Sequence, residues 1–301
     1  MDIETPRRAR SLEEFGEISG RLFRDDEIGA SIASYRPRPT DVIISPFAKC
    51  GTTWLQQIIH CLRTGGDMDF DDISRVVPWI ETARVAGLDL DAPQRGEPRT
   101  FKSHLAYDDA PKGARYIVAF RDPRDAMVSL YRFMEGWFLE PGAVSIDDFV
   151  RMRLARSDAR SGYWHHLNSW WAQRNNPDVL LLSYEQMNAE PEANIRRVAA
   201  FCGLPTDAAG ISLALERSSL PYMLAHKDRF DDAILRLESE RRCNLPPGAD
   251  SAKVRKGGST GRLELSAELA AAIDAKWAEL VTPVAGFADY AALEAALRTR
   301  P

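Results

Sequence analysis

One stretch, residues 41–64 (DVIISPFAKCGTTWLQQIIHCLRT), constrains the fold more than any other part of this 301-residue chain. It opens with the run VII at 42–44, and a short β-branched run of this kind predicts a buried strand. A loop of small residues that contains Lys49 and Gly51 follows. Apolar residues then return at helical spacing, namely Trp54, Leu55, Ile58, Ile59 and Leu62. A strand, a tight loop and a helix in this order aim backbone N–H groups and the positive end of a helix dipole at one place, which suits phosphate.

The loop differs from the common nucleoside triphosphate loop, G-x-x-x-x-G-K-[ST], in which the lysine follows the second glycine. Here Lys49 precedes Gly51, and Pro46 stands where that motif would have its first glycine. A strand–helix turn with a surface lysine is the plain alternative for this loop by itself. The order Pro-x-x-Lys-x-Gly-Thr-Thr-Trp resembles the phosphosulfate-binding loop of the cytosolic-type sulfotransferases, which use 3′-phosphoadenosine-5′-phosphosulfate (PAPS).

The composition narrows the classes of protein to consider. A net charge of −5 and a pI of about 5.7 argue against general nucleic-acid binding. The N-terminus has no apolar segment of signal-peptide length, and no apolar run approaches the roughly 18 residues that span a membrane. The four cysteines show neither C-x-x-C pairing nor zinc spacing. We therefore expect a cytoplasmic enzyme without a metal.

A lysine and a histidine lie together at the end of a second predicted strand, residues 100–104 (TFKSH). Because side chains alternate along a strand, Lys102 and His104 share a face just before a loop. A lone lysine or histidine is usually structural or solvated, but this pair at a strand end favours a catalytic role. In the sulfotransferases the similar segment, Lys-Thr-His there and Lys-Ser-His here, carries the catalytic histidine.

A third apolar run, RYIVAF at 115–120, predicts a strand that leads into Arg121 and a helix over 123–137. Helical spacing lets Ser129 face the same mouth as Arg121, and a guanidinium beside a hydroxyl suits a phosphate. The alternative is that Arg121 pairs with Asp125 and that Ser129 is a surface hydroxyl. The pattern Arg-Asp-Pro-Arg-Asp followed by Ser resembles the segment that binds the 3′-phosphate of PAPS in the sulfotransferases.

Two later segments resemble the parts of this family that hold the adenine. The apolar run VLLLSY at 179–184 predicts a strand, and Tyr184 at its end matches the tyrosine that reaches the base. A tyrosine that anchors a strand end is an equal alternative. Ser218 and Leu220 lie in SSLPYM, which resembles the Thr-Ser-Phe-x-x-Met segment whose hydroxyl and apolar side chain hold the adenine.

Residues 227–253 are charged and loop-like, which fits a mobile lid or a long surface excursion. Arg255, Lys256 and Gly257 then open a basic glycine-rich loop that resembles the family's Arg-Lys-Gly segment, which also contacts the 3′-phosphate. The Asp-Trp-Lys that commonly follows is absent, as is the dimer segment of the animal enzymes, so the oligomeric state stays open. Cys50 replaces the usual serine of the first loop, which removes a hydroxyl contact but is expected to leave its backbone N–H available.

The resemblance runs over about residues 40–265 and implies an α/β fold with a central parallel sheet flanked by helices, related to the P-loop nucleotide-kinase architecture. The cofactor would lie across the carboxyl ends of the strands. We expect one domain over 1–301, with residues 1–40 as a leader packed on it and 266–301 as a C-terminal helical cap. The leader has three apolar residues that can anchor it, Phe15, Leu22 and Phe23.

The resemblance also implies the reaction, an in-line transfer of the sulfuryl group of PAPS to a hydroxyl or amine of a small acceptor, which leaves 3′-phosphoadenosine-5′-phosphate (PAP). His104 would be the general base, and Lys49 and Lys102 would stabilise charge at the transferring group. The implied cofactor-binding residues are Lys49, Cys50, Gly51, Thr52, Thr53, Trp54, Arg121, Ser129, Tyr184, Ser218, Leu220, Arg255, Lys256 and Gly257.

Two alternatives stay open, an ATP-dependent P-loop kinase, which would need magnesium, and a nucleotide-binding module without activity. The acceptor is open as well. Aromatic candidates for the pocket wall favour a phenol, an alcohol or another lipophilic hydroxyl, but aromatic residues are common in cores, so carbohydrates and lipid headgroups are also considered. These candidates are Phe47, Trp79, Tyr107, Phe133, Trp137 and Phe138. His165 and His166 diverge on a helix and are expected to be structural.

Overall fold

A computed structural model describes residues 5–248, 251, 253–255 and 264–298 of the chain. At its centre lies a sheet of four parallel strands in the order β2-β1-β3-β4. The strands are β1 (Val42–Ile44), β2 (Thr100–Lys102), β3 (Arg115–Phe120) and β4 (Val179–Ser183). Apart from the first residue of β3, every strand residue is buried, as is typical of parallel sheets with both faces covered. The predicted central parallel sheet is confirmed.

Helices cover both faces of this sheet. In chain order they are α1 (Leu12–Leu22), α2 (Asp25–Ser34), α3 (Thr52–Thr64), α4 (Ile73–Val76), α5 (Pro123–Trp137), α6 (Ile146–Ala155), α7 (Gly162–Ala172), α8 (Tyr184–Ala189), α9 (Pro191–Cys202), α10 (Ala208–Arg217), α11 (Leu220–Ala225), α12 (Ala233–Cys243), α13 (Ala267–Leu280), α14 (Thr282–Ala285) and α15 (Tyr290–Arg298).

The alternation of side chains along the strands places one core on each face of the sheet. Ile43 and Val118 point to the face that is covered by α7, α13 and α15. Their neighbours Ile44 and Ile117 point to the opposite face, against α3, α9 and α10. The sheet is therefore the middle layer of three, with one layer of helices packed on each of its faces.

The three apolar residues predicted to anchor the N-terminal segment all contact the rest of the protein. Leu22 is only 1% exposed. The ring of Phe15 packs edge-on against Phe138, and the ring of Phe23 lies between Trp79 and Trp137, with centroid distances of 6.2 and 6.4 Å. These contacts hold α1 and the residue after it on the body of the protein.

The interpretation of residues 227–253 as loop-like is wrong for much of this segment. A 3-10 helix spans Lys227–Phe230, and α12 follows it. The buried residues of α12 are Ile234 and a stripe, spaced four residues apart, of Leu235, Ser239 and Cys243. Its central member is polar, and its hydroxyl accepts a hydrogen bond of 2.8 Å from Nε1 of Trp137. Because a serine interrupts the apolar stripe, the sequence pattern does not show the helix.

The C-terminal helices lie where helices were predicted, about residues 266–281 and 287–298, as α13 and α15. Their buried side chains, including Ile273 and Leu293, complete one of the two cores. In the part of the chain that the structure describes, no single helix is long and apolar enough to cross a membrane. Within that part, only α13 and the segment Thr282–Arg298 taken together, which bend by 41° where they meet, have the length and composition of a membrane span.

Candidate active site

The loop between β1 and α3 has the backbone geometry of an anion-binding turn. Lys49 and Gly51 both adopt left-handed conformations, with φ of 68° and 96°. Gly51 is the N-cap of α3, and no side chain of the described residues caps this helix. A Cβ atom on Gly51 would lie 3.0 Å from Cδ2 of Tyr184, so glycine is required both by φ and by space. The first N–H groups of α3 are therefore left for an anion.

The carboxyl ends of all four strands open on one cavity of about 270 Å³. Lys49 follows β1, Lys102 ends β2, Arg121 follows β3 and Tyr184 follows β4, and each of these side chains lines the cavity. Ligands of open α/β sheets bind at this edge. The topology thus brings together residues that are far apart in the sequence.

His104 lies at the cavity two residues beyond β2. Its Nδ1 lies 2.8 Å from the carbonyl oxygen of Pro46, and because a carbonyl only accepts, Nδ1 carries the proton. The backbone N–H of His104 donates to Oε1 of Glu81 at 2.7 Å, and its ring packs edge-on against Trp79. Burial, followed by the charge of Lys102, lowers the pKa of His104 to about 3. The imidazole is therefore neutral at physiological pH, with its lone pair on Nε2.

Lys102 and a second lysine share one buried carboxylate. Nζ of Lys102 lies 3.4 Å from Oδ1 of Asp232, and Nζ of Lys253 lies 2.6 Å from Oδ2. The ammonium group of Lys102 also lies 3.9 Å from the centroid of the Trp79 ring. Burial lowers the pKa of Lys102 to about 8, and the carboxylate of Asp232 acts in the opposite direction. Lys102 therefore keeps its charge at neutral pH but loses it in mild base.

Lys49 is a further cation of the cavity, and its Nζ lies 4.2 Å from the centroid of the Phe133 ring. Burial and the positive charges of Lys253, Arg121 and Lys102 lower the pKa of Lys49 well below its usual value. A lysine that is crowded by cations in this way gains most when an anion enters, because the anion favours its charged form.

Arg121 joins the lysine loop to the tyrosine after β4. Nη1 of Arg121 donates to the carbonyl oxygen of Lys49 at 2.8 Å, and its guanidinium lies 4.3 Å from the centroid of the Tyr184 ring. Tyr184 in turn packs edge-on against Trp54 at 5.8 Å. Ser129 lines the same cavity from α5. The residues predicted to contact phosphate and adenine therefore lie together.

The other predicted cofactor residues divide into two groups. Five more of them line the cavity, namely Thr52, Thr53, Ser218, Leu220 and Arg255. The hydroxyl of Thr52 is buried and has no hydrogen-bond partner among the described residues. Lys256 and Gly257 lie outside the described part of the chain.

Cys50 does not line the cavity, which corrects its inclusion among the cofactor-binding residues. Its side chain is fully buried in the core. Its backbone N–H is not available either, because it donates to the carbonyl oxygen of Phe47 at 3.1 Å and closes the turn. Cys50 stabilises the turn of the loop and does not contact the cavity.

Half of the aromatic candidates for the pocket wall pack in or against the core instead. Those that line the cavity are Trp79, Phe133 and Trp137. Those that pack elsewhere are Phe47 against Tyr163, Tyr107 against Trp170, and Phe138 inside the core. His165 and His166 also lie away from the cavity, and His166 is buried with Nε2 3.0 Å from the carbonyl oxygen of Ser45.

Several residues at or beside the cavity were not predicted, and four of them matter for its chemistry or shape, namely Phe23, Glu81, Asp232 and Lys253. Asp232 and Lys253 lie in the segment read as a loop, and nothing in the local pattern places them beside β2. Glu81 lies two residues after Trp79, and a buried carboxylate there offers no periodic signal. Long-range packing brings all four to the site.

The sequence is similar to those of known sulfotransferases. The family model for the sulfotransferase domain matches residues 39–245, which is more than half of the chain. Sulfotransferase 1B1 of Mus musculus is 27% identical over 204 residues, which cover 64% of this chain and 68% of the relative. Sulfotransferase 2B1 of Mus musculus is 28% identical over 255 residues, which cover 75% of this chain and 74% of the relative.

The fold is similar to those of solved sulfotransferase structures. A mouse sulfotransferase in complex with PAP superposes with a TM-score of 0.66 at 17% identity and covers 92% of this chain and 94% of its own. Retinol dehydratase in complex with retinol and PAP gives a TM-score of 0.65 at 19% identity, with 91% and 95% covered. The chain therefore belongs to the sulfotransferase family and is a PAPS-dependent transferase of the sulfuryl group.

Proposed function

We propose that the enzyme transfers the sulfuryl group of PAPS to the hydroxyl, or amine, of a small lipophilic acceptor and that His104 is the general base. The observation that carries this proposal is the hydrogen bond from Nδ1 of His104 to Pro46, which leaves the Nε2 lone pair to accept a proton. This lone pair belongs to a residue that shares its cavity with Lys49 and Lys102. The neutral imidazole is the form that can take a proton, and the two lysines are placed to stabilise negative charge at the transferring group.

The residues around the α3 N-terminus fit the phosphosulfate end of the donor. The uncapped first turn supplies free backbone N–H groups, and the left-handed Gly51 allows a ligand to approach the backbone closely. The unpartnered hydroxyl of Thr52 is a further donor at the same place. Lys49 lines the same place, and a bound anion would favour its charged form.

The remaining predicted residues fit the nucleoside and its 3′-phosphate. Tyr184 and Trp54 form an aromatic corner for the adenine. Arg121, Ser129 and Arg255 line the same cavity and offer two guanidinium groups and a hydroxyl to the 3′-phosphate. A 3′-phosphate is what separates PAPS from ATP, so these residues would set the choice of donor.

When bound, PAPS supplies the sulfuryl group together with a phosphate leaving group. His104 takes the proton of the acceptor hydroxyl on Nε2, and the Pro46 carbonyl holds the ring in the tautomer that can do so. Lys102 and Lys49 stabilise the negative charge that grows at the donor end of the cavity. Glu81 fixes the backbone of His104 through its carboxylate.

The apolar wall of the cavity supports a lipophilic acceptor. It is formed by Phe23, Trp79, Leu130, Phe133, Met134 and Trp137. An apolar wall of this kind suits a phenol or an alcohol on an apolar frame. Retinol dehydratase, which has a similar fold, binds retinol and androsterone in its own complexes.

We also propose that the enzyme works in the cytoplasm. The four cysteines, Cys50, Cys61, Cys202 and Cys243, are buried free thiols. Proteins of oxidising compartments tend to pair their cysteines, so this usage fits a reducing environment.

A thermal-shift comparison of PAP, ADP and ATP with magnesium tests the proposed donor. A ligand at about 100 times its dissociation constant stabilises the folded state by about 2.7 kcal/mol, which raises the melting temperature by a few degrees in a protein of this size. We expect such a shift with PAP alone. The described residues hold no group of three or more His, Cys, Asp or Glu side chains arranged for a metal ion. A shift with ATP and magnesium but not with PAP would show that the site is that of a kinase.

A further inference from the structure

Asp232 occupies an unusual position at the edge of the cavity. Its backbone is left-handed, with φ of 49°, and its side chain is 2% exposed. The two carboxylate oxygens bind different lysines, Oδ1 the Nζ of Lys102 and Oδ2 the Nζ of Lys253. Ser74 also donates to Oδ1 at 3.2 Å. A strained, buried aspartate of this kind persists only where the surrounding structure holds it, and such positions concentrate at functional sites.

The cavity has a large surplus of positive charge. Five cations line it, Lys49, Lys102, Arg121, Lys253 and Arg255, whereas Asp232 is the one carboxylate among its described lining residues. Asp232 carries one negative charge between the two lysines it contacts, and Asp72 and Glu81 act on Lys102 only from outside the cavity lining. An ammonium group has three N–H donors, and the described residues give Lys253 one partner. The pair is thus prepared for an additional anion.

We propose that Lys253 is a third lysine of the transfer site, that Asp232 holds it beside Lys102, and that it binds the sulfonate end of the donor. The proposal rests on the proposed function, because it assumes that PAPS occupies this cavity. It assigns a role to a residue that neither the sequence motifs nor the mechanism above uses.

The position of Lys253 indicates that it binds the sulfonate end of PAPS and not the 3′-phosphate. Lys253 shares its carboxylate with Lys102, which lies two residues before His104. After burial and the charge of Lys102, the charge of Lys253 also lowers the pKa of His104. The pKa of Arg255, two residues further along the chain, is lowered by burial and then by Arg121. Lys253 and Arg255 therefore serve opposite ends of the cavity.

The affinities of PAPS and PAP, measured by calorimetry without an acceptor, test this proposal because PAP lacks the sulfonate. We expect Lys253→Met to weaken PAPS binding about tenfold, as for the loss of one charge-assisted hydrogen bond, and to change PAP binding less than about twofold. Lys253→Arg keeps the positive charge and should therefore retain most of the normal affinity for PAPS. Lys276→Met is the matched control, because Lys276 pairs with Glu279 away from the cavity and its loss should change neither affinity.

Equal effects of Lys253→Met on both nucleotides, including no effect on either, would overturn the proposal. So would a variant that binds PAPS normally and raises only the KM of the acceptor. If Lys253→Met does not fold, Lys253→Gln, which removes the charge but keeps a hydrogen-bond donor beside Asp232, is the second variant and carries the same expectation. Failure of the proposed function would look different, since the unchanged enzyme would then bind neither PAP nor PAPS.

Discussion

His104 donates its Nδ1–H to the carbonyl oxygen of Pro46 across 2.8 Å. Pro46 belongs to the loop that carries Lys49, so the loop that places this lysine at the cavity also orients the histidine after β2. The hydrogen bond assigns the proton of the neutral ring to Nδ1 and the lone pair to Nε2.

NMR of the ring nitrogens tests this assignment directly. Because burial lowers the pKa of His104 to about 3, the ring should stay neutral and Nδ1-protonated as the pH falls through the usual histidine range near 6.5. His165, which is more exposed and contacts the carbonyl oxygen of Ala159, is the internal comparison. An Nε2–H tautomer, or a titration of His104 near pH 6.5, would refute the assignment.

Lys102 should produce the basic limb of the pH profile of kcat/KM. We propose that its charged form is the active one, and with a pKa of about 8 the activity is then expected to fall as the pH rises through this value. Asp232, Lys253, Asp72 and Glu81 are the charged groups that influence it.

Asp232→Asn should move this limb to lower pH, because the carboxylate is what favours the charged ammonium group against burial. Lys102→Arg should remove the limb from the accessible range, since arginine does not deprotonate there. If the basic limb of the kcat/KM profile stays near pH 8 in Lys102→Arg, the limb is produced by a group other than Lys102.

Gly51→Ala should damage donor binding through the backbone. A left-handed conformation costs alanine about 1–2 kcal/mol, and the new Cβ would lie 3.0 Å from Tyr184. We expect a loss of PAP affinity of roughly tenfold, measured by calorimetry. Gly20→Ala is the control, since its Cβ meets nothing within 4 Å on α1. Equal PAP affinity in Gly51→Ala and the unchanged protein would contradict the proposed role of the loop.

Ser129→Ala should weaken recognition of the 3′-phosphate alone. The expected result is a loss of PAP affinity of about threefold to tenfold, the range for one hydrogen bond, with the affinity for AMP unchanged because AMP lacks the 3′-phosphate. Calorimetric titrations with the two nucleotides provide the comparison. A similar loss for both would place Ser129 away from the 3′-phosphate.

The sequence predicts the strand-end residues well for a physical reason. Lys102 and Tyr184 each follow a short buried run whose pattern is local, and parallel strands bring their carboxyl ends to one edge. Their positions at the cavity agree with the prediction, whereas their roles in binding and catalysis stay predictions. The fold was predictable on the same basis.

Other parts of the site depend on packing that no local pattern encodes. Asp232 reaches Lys102 across 130 residues of sequence, on a segment whose helix is hidden by the polar Ser239 in its buried stripe. Phe47 and Phe138 were expected in the pocket wall but pack in or against the core, because an aromatic residue near a site fits either environment. Cys50 was misplaced because the hydrogen bond that closes its turn is visible only in three dimensions.

The most direct test of the central claim is sulfuryl transfer from labelled PAPS to a set of phenols and lipophilic alcohols by the unchanged enzyme and by His104→Ala. We predict transfer by the unchanged enzyme and a loss of at least about a hundredfold in kcat for the variant, the usual contribution of a general base, with PAP affinity changed less than about twofold. His165→Ala should retain normal transfer. If His104→Ala transfers the sulfuryl group at the normal rate, His104 is not the base and the proposed mechanism is wrong.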